Sequence, residues 1–265
     1  MKMRPSFSRA VLTALLLAPL SALSGQPAPS AAPQARSPLL PTTAFTTRPG
    51  SDLDDIWIDE NNQLVAAYWT DDRGSGGSGD DFVKLGEGQV GRKMQDDLDD
   101  GMDWAVAQGY ADPKRVCLVG ASYGGYAALW GVIRNPERYR CAASFAGVTD
   151  WTAQLRYDAN FFSRESRRTW KAKISGNQPG FSLDDVSPVK QIGRLTRSVL
   201  LVHGERDPRV PFKQYTTLKL AAAAAGKPLD LLVFPDEGHG VHKPESEAKW
   251  LDRLEAFLRR HNPAD

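Results

Sequence analysis

A chain of 265 residues, 41% hydrophobic and 25% charged, has the composition of a globular protein and enough material for one moderate domain or two small ones. Its 33 basic residues are balanced by 32 acidic ones, which leaves no excess for a nucleic-acid or membrane-surface partner. Two cysteines are too few for a disulfide framework or a structural zinc site.

Lys2, Arg4 and Arg9 precede the apolar run Ala10–Leu20, and Ala22-Leu23-Ser24 offers a small-x-small cleavage site before Gly25. The run is too short to span a bilayer and contains Pro19, so residues 1–24 are expected to be an export signal. Its removal takes the formal charge from +1 to about −2 and predicts a periplasmic or secreted protein with no stable membrane insertion. Residues 25–55 are rich in Pro, Ala, Ser and Thr and read as a linker. Ile56–Asp59 and Gln63–Thr70 predict two strands joined by the turn Glu60-Asn61-Asn62, and Arg73–Gly79 predicts a flexible loop.

The spacing of Met94, Leu98, Met102, Ala105 and Val106 predicts a helix over 89–108. Asp96, Asp97, Asp99, Asp100 and Asp103 cover its other side and are expected to be a solvated face rather than a cation site. After Asp112-Pro113 comes the stretch around which the chain is organised. Val116-Cys117-Leu118-Val119 reads as a strand buried on both faces, and a helix follows until Asn135-Pro136. Between them stands Gly120-Ala121-Ser122-Tyr123-Gly124. A strand that turns directly into a helix passes through a strained corner, and glycines two before and two after the corner leave room for neighbours. Such a corner lifts the serine hydroxyl above the sheet and aims the first helical N–H groups at whatever it attacks.

Cys141–Ala146 predicts the next strand. With Cys117 in one apolar strand and Cys141 opening another, both cysteines are expected to be small buried hydrophobes rather than a bridge. Residues 149–195 carry Trp151, Tyr157, Phe161, Phe162 and Trp170 without clear periodicity, and either line a substrate pocket or cover the core. Order returns with a strand at Ser198–His203, a helix at Pro211–Ala225, a strand at Leu229–Phe234 and a closing helix at His242–Arg260. Alternating strands and helices predict an α/β fold with a mostly parallel sheet and helices on both faces, with the chemistry beyond the C-terminal ends of the strands.

A nucleophilic serine needs a base, and the base needs a carboxylate to hold its tautomer. Of the four histidines, His261 lies in the tail and His203 ends a strand, where a structural hydrogen bond is expected. His239 follows the last strand between Gly238 and Gly240 and is the base, with His242 as runner-up. Asp207 follows the preceding strand and is the acid, with Glu205 and Asp236 as alternatives. The order Ser122, Asp207, His239 is that of α/β-hydrolases.

Gly91-Arg92-Lys93-Met94-Gln95-Asp96-Asp97, Gly120-Ala121-Ser122-Tyr123-Gly124-Gly125-Tyr126, His203-Gly204 with Asp207 and Val210-Pro211, and Gly238-His239-Gly240 together resemble the prolyl oligopeptidase family, in its dipeptidyl-peptidase and acylaminoacyl-peptidase branch. The resemblance, from about Arg73 to Asn262, implies an α/β-hydrolase catalytic domain over 56–262. It implies a serine peptidase for short peptides, without cofactor or metal, with Ser122 as nucleophile, His239 as base and Asp207 as acid. It further implies that the Tyr123 N–H serves the oxyanion, and that Tyr123, Val148 and Trp151 line the pocket for the residue before the scissile bond. Family members carry a β-propeller ahead of this domain, additional strands and a loop with a second oxyanion donor. None of these is legible before Arg73, so the expected domain is N-terminally truncated and lacks a strand from the middle of its sheet. Ile56–Asp59 either fills that gap or is a leftover hairpin. An esterase-type hydrolase and a non-catalytic remnant of a larger peptidase are the alternative readings.

Overall fold

A computed structural model describes residues 55–58, 64–67, 73–74, 79–109, 111–176 and 179–263. The predicted export signal and nearly all of the linker lie outside the described residues. β1 (Asp55–Ile58) and β2 (Leu64–Ala67) form an antiparallel pair, with Asp55 opposite Ala67, and the predicted turn between them lies outside the described residues. Helices α1 (Asp80–Leu85) and α2 (Lys93–Ala107) lead to β3 (Cys117–Ala121), α3 (Tyr123–Arg134) and β4 (Cys141–Phe145). The aromatic middle segment is helical: α4 (Trp151–Asp158), α5 (Arg164–Ser175) and α6 (Pro188–Gln191), with short 3-10 turns around α6. Asp150 and Ser163 cap α4 and α5 by accepting the N–H groups of Ala153 and Ser166, a local signal that hydrophobic periodicity does not register. The chain closes with β5 (Ser198–Gly204), α7 (Lys213–Ala224), β6 (Asp230–Phe234) and α8 (Pro244–His261).

The four strands β3-β4-β5-β6 form one sheet, all parallel and in sequence order. Both faces are covered, which is why β4 and β5 read as unbroken apolar runs. Ala142, Val199 and Leu201 point into a core built with α3 and α7, around Leu129, Val132, Ile133 and Leu218. Cys141, Ala143, Phe145, Leu200 and Val202 point to the opposite face, where Trp250, Leu254 and Phe257 of α8 cover them. Each of these large side chains contributes roughly 1.5–3 kcal/mol on burial.

Two expectations are corrected. First, Cys117 and Cys141 are bridged: they stand directly opposite each other in the β3–β4 register, with Cα atoms 4.7 Å apart, inside the range a disulfide spans. Burial in separate strands argued against a bridge only while the pairing of those strands was unknown. Second, the acidic side of α2 is not merely solvated, because it faces cations of its neighbours. Asp96 pairs with Arg134, Asp97 with Arg73 and Asp103 with Arg138, while Asp99 accepts from the Tyr139 hydroxyl at 2.6 Å. Burial raises the Asp99 carboxyl against the lowering effect of Tyr139 and the nearby arginines. Among the described residues no cluster suited to a metal ion is found.

The alternative left open for the first strands is decided by their pairing: they do not join the sheet of β3–β6. β1 and β2 pair with each other, and among the described residues no strand pairs with the outer edge of β3. The consequence shows in burial: β4 is buried at every position, whereas β3 is partly exposed and Val119 stands 38% exposed. No described helix is long and apolar enough to cross a membrane.

Candidate active site

Ser122 sits at the corner between β3 and α3 with φ 57° and ψ −121°, a conformation that costs a non-glycine residue on the order of 1–3 kcal/mol. The corner is held by its surroundings. The Ser122 N–H donates to the Phe145 carbonyl at the end of β4 at 2.9 Å, and its own carbonyl accepts from the Tyr126 N–H. A side chain at position 120 would meet the Gly124 carbonyl oxygen at 2.3 Å, so the first glycine of the motif is required by space. The second is not, since nothing lies within 4 Å of a Cβ at Gly124. Gly125 carries that role instead, lying against the Phe145 carbonyl at 2.6 Å from its would-be Cβ.

Asp207 lies in the turn after β5, and His239 in the loop after β6. Adjacent parallel strands bring these two connections to the same end of the sheet, and backbone contacts stitch them together. The Glu205 N–H donates to the Phe234 carbonyl and the Arg206 N–H to the Glu237 carbonyl, both at 3.0 Å. A Cβ on Gly204 would meet the Gly238 carbonyl oxygen at 2.2 Å, so only glycine lets the histidine loop fold over the end of β5. This is the physical content of the His203-Gly204 pair seen in the sequence.

The three side chains form a continuous chain of hydrogen bonds. His239 Nδ1 stands 2.8 Å from Asp207 Oδ2, and His239 Nε2 stands 2.8 Å from Ser122 Oγ. The ionised carboxylate only accepts, so Nδ1 carries the proton and Nε2 presents its lone pair to the serine hydroxyl. The Asp207 side chain is fully buried, while His239 retains some exposure. Burial would raise the Asp207 carboxyl, but hydrogen bonds from His203, His239 and the Val210 N–H outweigh it and hold the group well below the usual carboxylate range. A permanently charged acid beside an imidazole whose free nitrogen faces a hydroxyl is an arrangement able to withdraw the hydroxyl proton.

The alternatives fall outside this chain. Asp236 pairs with Arg206 at the surface, and Glu205 is exposed. His242 belongs to the loop before α8, and His261 lies near Asp230. His203 is buried, and its Nε2 stands 2.8 Å from the Val210 carbonyl, as expected for a structural histidine. Glu237 was not singled out from the sequence. It is buried and accepts the N–H groups of His242 and Lys243, both at 3.1 Å, which shapes the loop on the far side of His239. Burial would raise its carboxyl, but the Ser246 hydroxyl and those two N–H groups hold it below its ordinary value. Its only sequence signal was a carboxylate two residues before the base, in a loop rich in glycine.

Tyr123 opens α3, where first-turn N–H groups point out beyond the helix end. Its ring centroid lies 6.3 Å from that of Trp151, and Tyr126 completes an aromatic group at 5.6 and 5.0 Å from them. Val148 and Trp151 are buried in the same core, and the Tyr123 hydroxyl lies 3.5 Å from Met94 Sδ. A depression lined by Phe162, Glu165, Ser166, Thr169, Trp170 and Lys173 lies on α5 and includes none of the triad residues.

This geometry has counterparts in known proteins. Dipeptidyl aminopeptidase BIII of Pseudoxanthomonas mexicana is 33% identical over 201 residues, covering 74% of this chain and 29% of its own length. Dipeptidyl peptidase family member 6 of Caenorhabditis elegans is 32% identical, over 71% of this chain and 26% of its own. A puromycin-hydrolyzing peptidase from Mycobacterium tuberculosis superposes with a TM-score of 0.65 at 28% identity, covering 73% of this chain and 29% of that one. The chain thus spans less than a third of the length of these relatives. A profile of the prolyl oligopeptidase family matches residues 61–263, across the corner serine, the acid turn and the histidine loop, and the chain belongs to that family.

Proposed function

We propose that this chain is a serine peptidase that cleaves short peptides through an acyl-enzyme. The observation that carries the reading is the pair of 2.8 Å contacts joining Ser122, His239 and Asp207. His239 Nε2 takes the Ser122 hydroxyl proton as Oγ attacks the scissile carbonyl, and the buried Asp207 charge stabilises the imidazolium that results. The oxyanion forms at the N-terminus of α3, where the Tyr123 N–H is the donor assigned to it. The imidazolium then protonates the leaving amine, and water repeats the sequence to release the acyl group and restore Ser122. Tyr123, Val148 and Trp151 are assigned to the pocket for the residue before the cut. No second oxyanion donor is assigned among the described residues. One such donor is worth on the order of 10²–10³ in rate.

Export through residues 1–24 belongs to the same proposal. Its support is the signal-like sequence, together with the Cys117–Cys141 bridge, which persists in an oxidising compartment.

Covalent labelling of the purified chain by a fluorophosphonate tests the reading. The wild type is expected to label, and Ser122→Ala to lose all labelling while melting cooperatively. A wild type that melts cooperatively yet does not label would overturn it. Among the described residues no strand pairs with the outer edge of β3, which makes that the outcome to watch for, as it would leave a folded domain that retains the triad without using it.

A further inference from the structure

We propose that His203 is a positioning residue for catalysis, acting through Asp207 rather than on substrate. Its ring is buried against Phe212 and Tyr215, with centroids 5.9 and 6.1 Å away, and is 1% exposed. Nε2 stands 2.8 Å from the Val210 carbonyl, which can only accept, so Nε2 carries a hydrogen. The same nitrogen lies 3.4 Å from Asp207 Oδ2, the oxygen that also receives His239 Nδ1–H.

Two effects follow. The turn from Asp207 to Val210 is clamped at both polar ends of Val210. Its N–H donates to Asp207 Oδ1 at 2.9 Å, and its carbonyl accepts from His203. The Arg209 N–H also donates to Oδ1, at 2.8 Å, so that oxygen is committed to the turn and Oδ2 is left to face His239. The second effect is electrostatic. A buried N–H dipole near Oδ2, in surroundings of low dielectric, draws charge away from the oxygen that stabilises the His239 imidazolium. His203 thereby tempers the negative charge that Asp207 Oδ2 presents to His239 Nδ1. The loop of His239 also carries Asp236, Glu237, His242 and Lys243, and the acid turn carries Glu205, Arg206 and Arg209; none of them is altered in the variants below.

The inference rests on the triad reading, so its test uses a signal that needs no turnover. The protonation midpoint of His239 is read by NMR in wild type, His203→Phe and His203→Gln, each checked for a cooperative melt. Phenylalanine keeps the ring and removes the N–H, whereas the glutamine amide nitrogen reaches the place of Nε2. The midpoint is expected to rise by roughly half a pH unit or more in His203→Phe and to return toward wild type in His203→Gln. In parallel, kcat should fall in the phenylalanine variant with KM little changed. An unchanged or lowered midpoint, or one that glutamine fails to restore, would overturn the proposal. Should His203→Phe not fold, the same contrast is read between His203→Gln and His203→Asn, whose amide reaches only the place of Nδ1. Fluorophosphonate labelling of the wild type stays a separate test of the triad.

Discussion

The two flanks of the sheet hold the triad in different ways. On one flank β4 and β5 are paired on both sides, and the turns after β5 and β6 are tied to each other by backbone hydrogen bonds. Asp207 and His239 hang from this flank, and their separation is set by strand spacing and by Gly204. On the other flank β3 is paired only with β4, and its outer edge meets no described strand. Ser122 hangs from this second flank. It is kept in place by contacts with β4: the Ser122 N–H on the Phe145 carbonyl, the close approach of Gly125 and the Cys117–Cys141 bridge. Asp207 thus hangs from the interior strand β5 and His239 from the edge strand β6, whose loop is tied to the end of β5, whereas Ser122 is positioned by what ties β3 to β4.

This contrast can be broken at several points. The largest effect is expected from Asp207→Asn, which keeps the shape of the acid but removes its charge and favours the wrong imidazole tautomer. Its kcat should fall on the order of 10⁴-fold, measured against an activated ester, while the circular dichroism spectrum stays native. Gly204→Ala attacks the stitching itself. The added methyl displaces the histidine loop, and a shift of about 1 Å costs on the order of 10² in kcat, with about 1–3 kcal/mol of stability. If denaturant midpoint and rate both match wild type, the loop is not held by that approach.

Removing the bridge probes the other flank. Cys117→Ala with Cys141→Ala opens a loop of 24 residues in sequence separation and should cost about 2–4 kcal/mol in denaturant unfolding. If β3 is held chiefly through β4, fluorophosphonate labelling should slow in parallel. Unchanged labelling would mean that the Ser122 corner is maintained without the bridge, by the Ser122 N–H on the Phe145 carbonyl and the close approach of Gly125.

The smallest effect concerns acid stability. The folded pKa of Asp207 lies below its unfolded value of about 3.9, so the folded state binds fewer protons in that interval. Its contribution is present above the unfolded value and is lost as pH falls toward the folded one. Wild type should therefore lose more stability between pH 7 and pH 3 than Asp207→Asn does, read as the shift in denaturant midpoint.

Much of the site was legible because each triad residue carries a local signature at a strand end: a glycine-flanked serine, a His-Gly turn leading to an aspartate, and a histidine between glycines. Glu237 was not legible, since a carboxylate that accepts two backbone N–H groups looks like any loop glutamate until the loop closes. The acidic side of α2 was misread for a related reason. Its partners Arg134 and Arg138 lie in and just beyond α3, and sequence distance hides that packing. The helices of the 149–195 segment were hidden because caps at Asp150 and Ser163, rather than a long apolar stripe, begin them.

By itself the sequence determined the α/β alternation and singled out the three residues that the fold joins by hydrogen bonds, because each carries a pattern within about ten positions. Which strands are neighbours, whether two cysteines meet, how the turns after β5 and β6 interlock and where the sheet stops were decided only in three dimensions. Strand pairing joins residues far apart in the chain, and a local pattern of apolar side chains records that a strand is covered without recording by what.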